Sequence, residues 1–152
     1  MTDERIGRYF WLSEFLRSDT ATRRGLANMP GAVEMANLRG ILSPGMERVR
    51  NSLGQPVLIT SGYRSPEVNR AIGGSATSQH CQGLAADFIC PSFGTPRAVA
   101  RHLMERGSEI RFDQLIYEGT WVHVSFVPGR PRGEVLTAHF TGGSVSYSAG
   151  LA

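Results

Sequence analysis

Apolar residues from Ala32 to Leu53 fall on one stripe. Val33, Met35, Leu38, Leu42, Met46, Val49 and Leu53 recur mostly at three and four residues. That spacing predicts an amphipathic helix against a core, with Pro44 as its one interruption and Gly54 at the C-cap. Upstream, YFWLSEFLR predicts a short helix with Ser13 as cap, while RSDTATRRGLANMP reads as polar and turn-rich up to Pro30-Gly31. Val57–Thr60 is a β-branched run, so a buried strand. Ser65-Pro66 and Thr95-Pro96 each pair an N-cap with a proline at the first helical position. The first of these helices ends before Gly73-Gly74, and the second runs to Gly107. Leu84–Ile89 reads as a strand. Phe112–Tyr117 and Trp121–Val127 read as two strands joined by a Glu118-Gly119-Thr120 turn, and Val135–Phe140 as a further strand. The tail, about residues 141–152, is small and polar and is expected to be partly loose. The pattern is α+β: helices early, then a mostly antiparallel sheet with one inserted helix.

The length of 152 residues suits one domain, with a core spanning about 9–140. No apolar run reaches membrane-span length, so membrane insertion is not expected. The N-terminal stretch carries Asp3 and Glu4 and no apolar segment of the secretory kind, so synthesis in the cytoplasm is expected. The net charge of +3 comes entirely from arginine, since the chain has no lysine. Mild basicity suits an anionic polymer, but no basic run interleaved with aromatics marks a nucleic-acid groove. Cys81 and Cys90 form no CxxC pair, and a disulfide framework is not needed at this size. Cys81 adjoins His80; in an extended segment the two would point to opposite faces, which makes Cys81 a small core residue.

Three candidate ligands stand out: His80, Asp87 and His123. Strand alternation puts Trp121, His123 and Ser125 on one face and Val122, Val124 and Phe126 on the other. The Val/Val/Phe face is the core side, so His123 faces a cleft. Asp87 is an acid amid the apolar strand LAADFI, which is costly unless it is paired or bound to metal. Two histidines and one carboxylate leave a tetrahedral zinc one open position, the catalytic pattern. Such a zinc lowers the pKa of water and polarises a carbonyl. Glu118, at the tip of the turn, and Arg64, after the first strand, are placed to supply a base and a cation. His102 and His139 read as structural or exposed.

These residues carry a resemblance. Ser78-Gln79-His80-Cys81-Gln82-Gly83-Leu84-Ala85-Ala86-Asp87 fits SxHxxGxAxD at every fixed position, Ser61–Ser65 reads SGYRS, and Trp121–Ser125 reads WxHxS. In that order they resemble the zinc D-Ala-D-Ala carboxypeptidases, the M15 or LAS-type peptidases, and above all their small phage and prophage members. The resemblance implies a small α+β fold with one Zn2+ held on an antiparallel sheet by His80, Asp87 and His123. It implies Glu118 as acid/base and Arg64 as holder of the substrate carbonyl and oxyanion. Ser78 would bind the substrate's polar end, with Tyr63 and Trp121 lining the cleft. Some relatives carry the catalytic Glu three residues before the last His, where this chain has Thr120. The implied substrate is the bacterial peptidoglycan stem peptide. It would be cut by a D-Ala-D-Ala carboxypeptidase or an L-Ala–D-Glu-type endopeptidase, acting as a monomer. A phage lysin released through a holin pore, or a phage component, is the implied setting. The rival is a zinc-holding, non-catalytic binding or virion module of the same fold, which need not keep both Glu118 and Arg64.

Overall fold

The computed structural model describes residues 3–152 as a small single domain in which helices pack on a mostly antiparallel six-stranded sheet. The sheet order is β1-β2-β4-β3-β5-β6, with β1 Leu58–Ser61, β2 Ala85–Ile89, β3 Gln114–Tyr117, β4 Val122–Ser125, β5 Glu134–Thr141 and β6 Ser144–Ala149. Every pair is antiparallel except β3–β5. Short helices α1 Leu12–Leu16 and α2 Asp19–Arg24 precede the long helical stretch. Ser13 lies inside α1 rather than capping it; the Glu14 carboxylate accepts from the Trp11 N–H instead. The segment read as polar turn folds as α2, because Ser18 caps it and Gly25 closes it in the left-handed region.

The predicted helix over 32–53 forms as α3 Ala32–Asn37, a π-turn Leu38–Leu42 and α4 Ser43–Leu53. Pro44 does not break it. A proline lacks an N–H and crowds the carbonyl four residues back, here that of Gly40. The wider turn absorbs that clash just upstream, with the Ser43 N–H reaching the Leu38 carbonyl. Leu38, Leu42, Met46, Val49 and Leu53 all lie in the core. There they meet the sheet face carrying Ala86, Phe88, Leu115, Val122 and Val124. Helices α5 Pro66–Ala71 and α6 Pro96–Glu105 start as expected, with the Ser65 and Thr95 hydroxyls capping Val68 and Ala98. A last short helix, α7 Gly107–Ile110, leads into β3.

The tail departs from expectation. Residues 144–149 form β6, paired with β5 from Leu136↔Ala149 to Thr141↔Ser144. Arg97 also ties the Ala152 carbonyl. The chain reaches this hairpin by crossing from β4 past β3, and the crossing is pinned at Asp113. That buried carboxylate accepts from the Arg132 backbone and guanidinium and from Gln79. Among the described residues, no helix is long and apolar enough to cross a membrane.

Candidate metal centre

Strand register brings the distant motifs together. Asp87 on β2 lies directly opposite His123 on β4, and Ser61 on β1 lies opposite Asp87 across a bulge. His80 arrives from a single 3-10 turn, Gln79–Gln82, capped by the Ser78 hydroxyl. Gly83 ends that turn at φ +72°, and a Cβ there would sit 2.6 Å from the Glu34 carbonyl oxygen of α3. The chain therefore turns sharply from His80 into β2, pressed against the long helix, at a place only glycine accepts.

The SGYRS segment is stitched to the same turn. The Arg64 N–H donates to the His80 carbonyl at 3.1 Å. The Gly62 carbonyl lies 2.7 Å from His80 Nδ1. A carbonyl only accepts, so Nδ1 carries the proton and Nε2 presents its lone pair. Gly62 has no room for a side chain: a Cβ would stand 2.5 Å from the Phe15 carbonyl oxygen. Its absence of a Cβ is what lets this backbone lie against α1.

Three donor atoms then converge. His80 Nε2 is 3.2 Å from Asp87 Oδ1 and 3.2 Å from His123 Nδ1, and His123 Nδ1 is 3.0 Å from Asp87 Oδ1. Donors about 2.0–2.1 Å from a tetrahedral zinc stand roughly 3.3 Å apart, so the triangle fits that ion. Burial holds the His80 imidazole neutral by lowering its pKa. Burial alone would raise the Asp87 carboxyl, and its low pKa comes from positive charge and N–H donation on the imidazole side of the triangle, the place a bound cation would take. A neutral imidazole lone pair, an anionic oxygen and a second imidazole nitrogen facing one another make a site that a cation relieves. The group could hold one metal ion. Cys81 is outside it. It sits half-buried in the 3-10 turn rather than in an extended segment, and both cysteines are free.

Glu118 and Arg64 lie within electrostatic reach of this centre. The Glu118 carboxyl is raised above its ordinary pKa, first by burial and then by the charge on Asp87, against the opposing pull of His123, Trp121 and Arg64. The Trp121 indole N–H donates to Glu118 Oε2 at 2.9 Å, which orients the carboxylate and leaves Oε1 without a hydrogen-bond partner among the described residues. Arg64 is half-buried, and among the described residues it makes no ion pair and its Nε has no hydrogen-bond partner. Among the described residues the one hydrogen-bond partner of its guanidinium is the Ser78 hydroxyl, at 3.4 Å. An unpaired cation held in a half-dry site is equipped to meet negative charge on a ligand.

Tyr63 does not line an open surface. It is only 4 % exposed and packs in the core, because the ring follows the tightly packed Gly62 inward. Ser125 shares the His123 face but is fully buried. Sequence reasoning missed Tyr147. Its phenol is raised by burial and then by the charges of Glu118 and Asp87, so it stands in the field of the centre. The alternation Val145, Tyr147, Ala149 was the signal, hidden among small polar residues.

A two-histidine, one-aspartate centre on an antiparallel sheet, faced by an acid and a guanidinium, has the make-up of a metallohydrolase. The family model described as Peptidase M15 matches residues 8–125, and the chain belongs to that family of zinc-dependent, peptidoglycan-acting peptidases. No curated protein matches the chain.

Proposed function

We propose that this protein hydrolyses a peptide bond in the peptidoglycan stem, with His80, Asp87 and His123 holding the zinc. The reading is carried by the triangle of three donor atoms, with a raised acid and an unpaired guanidinium within electrostatic reach of it. When bound, zinc supplies a Lewis acid that polarises the scissile carbonyl and eases deprotonation of water. Glu118 takes a proton from the attacking water through its free Oε1 and returns it to the leaving amine. Its raised pKa suits both transfers, because a base too acidic would not accept and one too basic would not release. Trp121 keeps the carboxylate aimed. Arg64 holds the carbonyl oxygen and meets the negative charge that develops there. Ser78, already in contact with Arg64, binds the polar end of the substrate.

Two stem bonds suit this machinery: the terminal D-Ala-D-Ala bond, or an L-Ala–D-Glu-type bond nearer the glycan. A lytic role follows the resemblance to small phage peptidases. Digestion of purified peptidoglycan, with fragments weighed by mass spectrometry, tests the reading. Loss of one alanine means carboxypeptidase, release of stem peptides from glycan means endopeptidase, and a chelator abolishes either. Intact muropeptides from several wall types, with zinc confirmed in the protein, would overturn the enzyme in favour of a binding module.

A further inference from the structure

The sheet face that carries the metal centre does not stop there. Register pairs Asp87 with His123, His123 with Ile116, and Ile116 with Leu136. Leu136, Ala138 and Phe140 then pair with Ala149, Tyr147 and Val145. Paired residues share a face, so all of these side chains stand on one side of the sheet. At the metal end the face is covered by the turn bearing His80. At the hairpin end the face is open among the described residues: Phe140 is 58 % exposed, Tyr147 51 % and Val145 45 %. The reverse side of the hairpin is Thr137, His139 and Thr141 with Ser144, Ser146 and Ser148. An apolar, aromatic face backed by a polar one, on an edge of the sheet, is built for contact.

This surface is continuous with the catalytic centre. Trp121 bridges the two: its indole N–H holds Glu118, and its ring lies 6.3 Å from the Phe140 ring. Tyr147 stands on the same face, opposite Ala138 and diagonal to Phe140, one residue pair nearer the metal end. The hairpin lies beyond residues 8–125, the span shared with the family.

The occupant follows from chemistry. The stem residues next to the glycan are alanine, with one methyl, and a γ-linked glutamate, which is anionic. Neither can cover three aromatic rings. A pyranose offers a flat C–H face to an aromatic ring and a rim of hydroxyls to a phenol. We propose that Trp121, Phe140 and Tyr147 form a saccharide platform, on which a sugar ring of the glycan strand rests while its stem peptide reaches the metal centre. This rests on the peptidase reading and selects the glycan-proximal bond within it.

The test compares a stem peptide still linked to its disaccharide with the same stem peptide free. The native protein cleaves the linked substrate with kcat/KM about tenfold higher, the difference lying in KM. Phe140→Ala and Tyr147→Ala bring the ratio of the two towards one. Both side chains are exposed, so both variants keep the native melting temperature, which separates lost contact from lost fold. An N-acetylglucosamine tetramer, titrated into the protein and followed by NMR, shifts the Trp121 indole signal and amides of residues 138–147, and does so less in either variant. Equal cleavage of the two substrates with no oligosaccharide shifts overturns the platform and leaves the peptidase reading standing. Oligosaccharide shifts without cleavage of either substrate keep the platform and overturn the peptidase reading. A concentration-dependent dimer that Phe140→Ala abolishes assigns the face to a second copy of the chain and also overturns the platform.

Discussion

The two ends of the sheet make an instructive pair. Around β1, β2 and β4 each functional side chain is held from several sides. His80 is fixed by the Gly62 carbonyl, its turn by Ser78 and Gly83, and its backbone by Arg64. Around the far end of β5 and β6 Phe140, Val145 and Tyr147 of the same face stand in the open, held by strand pairing and by the Trp121 ring beside Phe140. The first arrangement suits placing lone pairs within tenths of an ångström, which needs glycines, caps and burial at set spacings. The second suits an extended, adaptable ligand, where broad contact counts for more than exact position. Tolerance to change is expected to follow the same division.

The sharpest break falls at His80. His80→Ala removes one of three donors and is expected to lower zinc affinity at least about 100-fold, more than the loss of an outer partner costs. Stripped-metal titration by isothermal calorimetry reads it, and stoichiometric zinc retained in the variant would remove His80 from the centre. Glu118→Gln keeps the shape and the Trp121 contact but not the base. Zinc content stays at one per chain while kcat falls about 10²–10⁴-fold. Full activity in that variant moves the base elsewhere.

Gly83→Ala acts through the backbone. The left-handed φ and the Glu34 carbonyl at 2.6 Å together cost roughly 2–3 kcal/mol in urea unfolding. An unchanged midpoint would mean that the turn relaxes freely. The mildest effect belongs to the junction between the two ends. Burial would raise the Asp113 carboxyl, but hydrogen bonds from the Arg132 side chain and backbone and from Gln79 hold it below the ordinary carboxylate range. A depressed folded pKa means stability that is present above about pH 4 and lost as pH falls through the folded value. Asp113→Asn should flatten the acid limb of a stability–pH curve, and an unaltered limb would assign acid sensitivity to other carboxylates.

Much of the centre was legible in the chain because its chemistry dictates letters. A ligand, a left-handed glycine and a second ligand must stand at fixed intervals, and His80, Gly83 and Asp87 do. The helix over 32–53 was legible from its stripe, but Pro44 was not legible as tolerable, since a π-turn has no sequence mark of its own. The resemblance puts Tyr63 in the cleft, yet the packing of Gly62 against Phe15 sends it inward. β6 was hidden because its serines and the glycines flanking it resemble a loose tail. Only pairing with β5, a long-range partner, makes a strand of them.

The donor triangle has a consequence for the lifetime of the protein. Its corners are 43 residues apart from His80 to His123, and they meet only once β2 has paired with β4. An unfolded chain offers no such triangle, so the ion binds the folded form almost alone. Free zinc at a hundred times its dissociation constant then adds about 2.7 kcal/mol to stability. The supply of metal therefore governs survival as well as turnover. In zinc-poor surroundings the chain should be digested sooner by any protease that waits for it to open, and a pulse of zinc should lengthen its half-life before a single wall bond is cut.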